Sequence, residues 1–203
     1  MRYLKFVALS ALLACLTVAP ASALTSVFNL SEFTGTSADV RVEIDDSIFL
    51  DMIQVTVEVV ANPNIGDIRG VFFNIDGAIP ALVSADITGA DVTGLGFDTN
   101  NLGNGANLNP HAPFDLGVEI GTQGIGFDDI QTTTFTIADK GVLTAGSFTE
   151  IGARLTSVGL DGSSREGSSK LSGTSETPIP EPATMTLLVG GLLAGGAMRR
   201  RRS

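Results

Sequence analysis

The sequence predicts an all-β fold, an antiparallel β-sandwich, for the central part of the chain, and three observations carry that prediction. Short apolar runs alternate with polar residues at period two, as Val40, Val42 and Ile44 do with Arg41 and Glu43. Gly, Asn, Asp and Pro separate these runs at short intervals. No stretch between them repeats its apolar residues at helical spacing. Short strands of this kind bury their alternate faces by packing sheet on sheet.

The clearest run follows the first, with Ile53, Val55, Val57 and Val59 set between Gln54, Thr56 and Glu58. "DVRVEI" and "DMIQVTVEVV" are therefore expected as neighbouring or facing strands. Asn62-Pro63-Asn64 marks a turn, and residues 68–75 read as a strand carrying Phe72 and Phe73. Further strands are expected at 81–87, 114–120, 132–137 and 151–158. The glycine pairs Gly94/Gly96 and Gly124/Gly126 lack a strand-to-helix setting for phosphate and read as turns. The sandwich domain is thus placed at residues 24–160. Residues 161–178 are rich in Ser, Gly and Thr, lack periodicity beyond Leu171, and read as a flexible spacer.

The ends of the chain differ in kind. Arg2 and Lys5 precede an apolar run from Phe6 to Val18, Pro20 breaks it, and Ala21-Ser22-Ala23 offers a small-x-small cleavage site. Those three parts in order make residues 1–23 a signal peptide, with Ala21 and Ala23 as the cleavage residues. Cys15, the one cysteine, lies inside that segment in a loose lipobox, so cleavage after Ala23 leaves a mature chain without a thiol.

Between the ends, residues 24–177 hold 21 acidic residues against six basic ones, Arg41, Arg69, Lys140, Arg154, Arg165 and Lys170. This is more acidic than the whole-chain net charge of −10 suggests. Such a surface repels phosphate backbones, and nucleic acid is excluded as a partner.

At the other end, Pro180-Glu181-Pro182 leads into an uncharged Leu- and Gly-rich segment, 183–198, followed by Arg199, Arg200, Arg201 and Arg202. As a helix the segment would reach about 24 Å against a hydrocarbon core of roughly 30 Å, a marginal span of the inner membrane. The arginines resist translocation and fix the orientation. The two prolines keep the motif extended, and the charge on Glu181 holds it out of the hydrocarbon.

This arrangement resembles the PEP-CTERM sorting signal. The resemblance implies that residues 179–203 are an address read by a membrane-embedded exosortase, with Pro180, Glu181 and Pro182 recognised and Arg199 to Arg202 acting as the stop. It implies export, a transient membrane anchor, and a final place at the cell surface or outside the cell. "NNLGNGANLN", "FDLGVEIG" and "REGSSKLSG" look like segments of exported proteins bearing the same tail, and "IGDIRGVFFNIDG" is loosely similar to cohesin-type sandwiches.

Catalytic chemistry finds few residues to work with. His111, between Pro110 and Pro113, is the one histidine and reads as a solvent-facing loop residue. No nucleophile-elbow pattern surrounds a serine. Asp128 and Asp129 are an example of a carboxylate pair that glycoside hydrolysis would use, yet the chain has no tryptophan to line a sugar cleft. Calcium is the sharper expectation: Asp98-Thr99-Asn100 begins like an oxygen-ligand loop, and Asp86, Asp91, Asp98 and Asn100 are the candidate ligands. The expected function is that of a non-enzymatic surface or matrix protein associated with exopolysaccharide. The alternatives are a carbohydrate- or protein-binding module, with or without calcium, and a secreted hydrolase. An exposed phenylalanine strip would mark the module, and a deep pocket of converging carboxylates would mark the hydrolase.

Overall fold

A computed structural model describes Leu24–Gly77, Ile79–Ser175 and the backbone of Ile179–Pro180. The signal peptide, its cleavage residues Ala21 and Ala23, and the tail from Glu181 onward lie outside the described residues. The strand-bearing unit spans Leu24–Ile179. Its strands are β1 (Leu24–Gly35), β2 (Asp39–Phe49), β3 (Met52–Val60), β4 (Asn64–Ile75), β5 (Ile87–Thr88), β6 (Val92–Thr99), β7 (Asn101–Gly103), β8 (Ala106–Asn107), β9 (Phe114–Ile120), β10 (Thr132–Ala138), β11 (Phe148–Leu160) and β12 (Gly167–Thr174).

The strands form one continuous antiparallel sheet in the order β5-β10-β3-β2-β1-β12-β11-β4-β9-β6, with β7 and β8 as a separate hairpin. The expected sandwich takes the form of this single sheet folded over on itself. Phe73 of β4 meets Phe135 of β10 edge-on at 6.3 Å between ring centroids. In the ladder five strands lie between those two, so their contact requires the sheet to double back. Backbone bonds from Ile68 N–H to Ile130 C=O and from Val59 N–H to Gln131 C=O, each 2.8 Å, lace the two halves at one corner.

Period-two patterning fills the interior as the sequence requires. Val40, Val42 and Ile44 of β2 and Ile53, Val55, Val57 and Val59 of β3 are all buried, and the two strands are direct partners, Val42 opposite Val57 and Ile44 opposite Val55. Phe28 of β1 continues the row opposite Val42.

Strand β4 departs from alternation, because nearly all of it is buried. Phe73 joins the main core, whereas Phe72 enters a second, smaller one with Leu108 and Phe114. Glycines make room for it. A Cβ on Gly152 would lie 2.5 Å from Leu108 Cδ1, and one on Gly117 would lie 3.0 Å from Phe72 Cδ1. Loop residues 100–111 settle into that space.

Two expectations are corrected. The spacer placed at 161–178 contains β12, which pairs with both β1 and β11 and lies inside the sheet. Its "GSSKLSGT" sequence buries only Ser169 and Leu171, because neighbouring strands supply the hydrophobic contacts. The strand domain accordingly runs past 160. The strand expected at 81–87 is instead irregular chain and a 3-10 turn, Ser84–Asp86, with only Ile87–Thr88 paired. Pro80 and the Asp86 carboxylate on the Val83 N–H favour the turn over a ladder.

Candidate functional site

A cleft opens beside the small core. Arg69 points from β4 toward β9 and is almost wholly buried. Its guanidinium donates to the carbonyls of Ile120 and Asn104 and lies 3.4 Å from Glu119 Oε1, while Nε has no partner. Thr93, Asn104, Glu119, Gly121, Thr122 and Gln123 complete a cavity of about 310 Å³. Hydroxyls, amides and one ion pair dominate this lining, a chemistry that suits a hydroxylated ligand better than an apolar one.

The cations around the adjoining loop share one task. Arg154 Nε donates to Gly105 C=O at 3.2 Å, and Lys170 Nζ donates to Asn109 C=O. With Arg69 on Asn104, three of the domain's six basic side chains hold the backbone of residues 104–109. Burial lowers the pKa of both Arg154 and Lys170, and for Lys170 the nearby Arg154 charge adds to it.

His111 is not the solvent-facing residue expected. Its ring stacks on Phe114 at 4.4 Å and 18°, and Nε2 lies 3.1 Å from Glu150 Oε1. Nδ1 lies 2.9 Å from Ala112 C=O, so both ring nitrogens are engaged and neither faces a nucleophile. The signal in the sequence was the apolar flank of Phe114, which draws the ring onto the small core.

A second group of charges comprises Asp67, Asp128 and Asp129, of which Asp67 alone is buried. Asp67 is fully enclosed, accepts from Ile130 N–H at 3.1 Å and Thr156 Oγ1 at 3.3 Å, and burial pushes its pKa up to about 6. Asp128 accepts from Thr122 N–H at 2.7 Å, and Asp129 pairs with Arg165 at 2.5 Å. The two neighbouring carboxylates thus hold a loop and do not converge on a cavity.

The four candidate calcium ligands are not brought together. Asp86 caps the 3-10 turn and is bound by Lys140 at 2.6 Å, a hydrogen bond that, with the Val83 N–H, holds its pKa below the usual carboxylate range. Asp91 accepts from Thr133 Oγ1 at 2.8 Å. Asp98 sits in β6 at a φ of 47°. Asn100 donates to Asn109 Oδ1 and His111 C=O, which ties the loop to itself. Among the described residues, no three His, Cys, Asp or Glu side chains gather as a metal site. Gly94 and Gly96, read as turns, lie within β6. A Cβ on Gly94 would come within 2.6 Å of Glu119 Oε2, so the glycine admits that carboxylate.

Phenylalanines do not line one exposed face. Phe28, Phe72, Phe73, Phe114, Phe135 and Phe148 are buried, and Phe33, Phe49, Phe97 and Phe127 are exposed on β1, at the β2–β3 hairpin, on β6 and in the loop after β9.

Of the sorting residues, Pro180 closes a two-residue strand, Ile179–Pro180, and its backbone is extended there. Glu181, Pro182 and Arg199 to Arg202 lie outside the described residues. The family model of the PEP-CTERM protein-sorting motif matches residues 178–202. No curated protein and no solved structure matches the chain. The motif, the uncharged segment and the arginine cluster all fall inside the matched stretch, and this chain carries a PEP-CTERM sorting signal, the address of proteins sorted through exosortase to the cell surface.

Proposed function

We propose that the chain is a non-enzymatic surface protein, exported by its N-terminal signal, held briefly in the inner membrane by 183–198, and then associated with exopolysaccharide. One observation carries the reading: the sorting motif begins at the C-terminal limit of a compact, acidic, all-strand body, so that processing would deliver that body intact. The cleft beside Arg69 supports a contact with sugar, since its side chains offer donors and acceptors on one open wall. A strongly acidic body repels anionic polymers at long range and favours neutral ones.

The test has two arms. Intact mass of the protein recovered from cells with and without exosortase reports on the tail, and a precursor mass in both strains would defeat the sorting step. Affinity electrophoresis of the recovered protein in gels containing the producer's exopolysaccharide reports on the body. Retardation that weakens in Asn104→Ala/Gln123→Ala supports the cleft, and unchanged mobility removes polysaccharide from the reading.

A second reading rests on the β2–β3 hairpin. Ile48, Phe49, Leu50 and Met52 are exposed there, Leu50 at 89 %, which marks a contact with another protein. Selective loss of a co-purifying surface protein in Phe49→Ser/Leu50→Ser would favour it.

A further inference from the structure

The first residue of the strand unit is Leu24, the residue that follows the small-x-small site. Its main-chain nitrogen donates to Asp46 Oδ1 at 2.8 Å, and the other oxygen of that carboxylate accepts from Ala145 N–H at 3.0 Å. The Leu24 side chain packs against the main core, where Gly146 leaves space for it: a Cβ there would lie 3.1 Å from Leu24 Cδ2.

We infer that the Ala23–Leu24 bond is the site of proteolytic maturation and that Asp46 is the seat of the amino group this creates. Hydrolysis by signal peptidase consumes one water, leaves a carboxylate on Ala23, and converts the neutral Leu24 amide nitrogen into an ammonium. The hydrogen bond to Asp46 then becomes a charge-assisted pair, roughly twice as strong as its neutral counterpart. Cleavage one residue later would delete the donor and the packed leucine. Cleavage one or two residues earlier would leave the nitrogen uncharged. Asp45 is the other charged group on β2 near this end, and its carboxylate accepts from Ser47. The 3-10 turn Ala145–Ser147 contributes no charged side chain. The ammonium therefore faces one carboxylate, already oriented by the Ala145 N–H.

This inference rests on export through the N-terminal signal, and the experiment separates the two. The full chain is produced in an exporting host, and the periplasmic or surface form is recovered and its N-terminus sequenced. The α-amino pKa is then read from the pH dependence of N-terminal labelling, in wild type and in Asp46→Asn. A sequence beginning Leu-Thr-Ser, with an α-amino pKa about one unit above the free range of about 7.7–8.0, is expected. In Asp46→Asn the pKa returns to that range. Retention of residues 1–23 on a cytosolic chain would defeat the export reading. An exported chain beginning elsewhere, or an α-amino pKa in the free range in wild type, would overturn the seat alone, whether or not the variant folds.

Discussion

Arg154 and Lys170 face each other as direct partners across β11 and β12, two cations side by side on a strongly acidic protein. Like charges in that position repel. Both side chains reach instead to the carbonyls of the loop at 104–109, and Arg154 Nη1 also donates to Ser169 C=O at 3.3 Å. Carbonyl dipoles take the place of acidic partners. Arg154→Met should remove two hydrogen bonds and destabilise the protein by about 1–3 kcal/mol. Lys170→Met should cost less, because it removes one hydrogen bond rather than two, and either substitution relieves the repulsion and should weaken the salt dependence of the melting temperature. A double variant whose loss is the strict sum of the two single losses would show that the repulsion is negligible.

Asp67 gives a pH dependence with a defined sign. Its folded pKa of about 6 lies above the unfolded value, so its contribution is complete below about pH 4, where both states are protonated. As pH rises through 6 the unfolded chain has released its proton first, and stability is lost, by at most about 3 kcal/mol. Asp67→Asn should remove that fall. Urea midpoints of wild type and variant, compared at pH 4 and pH 7.5, check it; a difference independent of pH would reject the burial of an ionised carboxylate as the cause.

Gly152 is predicted to be intolerant of any side chain. A Cβ there would sit 2.5 Å from Leu108 Cδ1 and 2.8 Å from Phe114 Cζ. Gly152→Ala should cost about 1–3 kcal/mol by overpacking. The combination with Leu108→Ala should recover part of the loss, and strict additivity would mean the two residues do not meet.

His111 offers a way to separate stacking from charge. His111→Phe keeps a ring over Phe114 and loses the Glu150 contact, whereas His111→Ala loses both. The alanine variant should be the less stable by about 0.5–1.5 kcal/mol, the usual worth of an aromatic pair. Thermal melts of the two decide it.

The tail makes a prediction in cells. Replacing Arg199 to Arg202 with Ser should let the hydrophobic segment slip outward and cause the precursor to accumulate or escape unprocessed. A mature mass at wild-type abundance would show that the arginines are not needed as a stop.

The sequence was most legible where one strand face meets water. β3, β9 and β10 alternate cleanly or carry dense apolar runs, and each was placed within a residue or two, whereas β2 starts where "DVRVEI" does and runs on to Phe49, past the end of its alternation. Alternation fails as a guide where packing is unusual. β6 is half-exposed and interrupted by Gly94, which admits Glu119, and Gly96, which admits Leu102 and Thr99, so its "VTGLGFDT" reads as turn. β12 is polar because its neighbours bring the apolar surface. The candidate calcium ligands share a sequence neighbourhood, yet turn formation claims Asp86 and loop closure claims Asn100. The cleft was invisible beforehand, since Arg69, Asn104 and Glu119 come from distant segments that only the register of β4 and β9 unites. The sorting motif was legible, because it is read from the order of residues along the chain.

The position of β12 has a consequence for biogenesis. β1 lies between β2 and β12, so the earliest strand to leave the translocation channel finds its second neighbour only when the last one emerges. Pairings so distant in sequence close slowly. Until residue 174 is across, one flank of β1 is open, and a chaperone outside the membrane has its longest chance to engage there. On the proposed route the body would seal just as the hydrophobic stretch behind it halted the passage, so that the end of transport would be the signal for the end of folding.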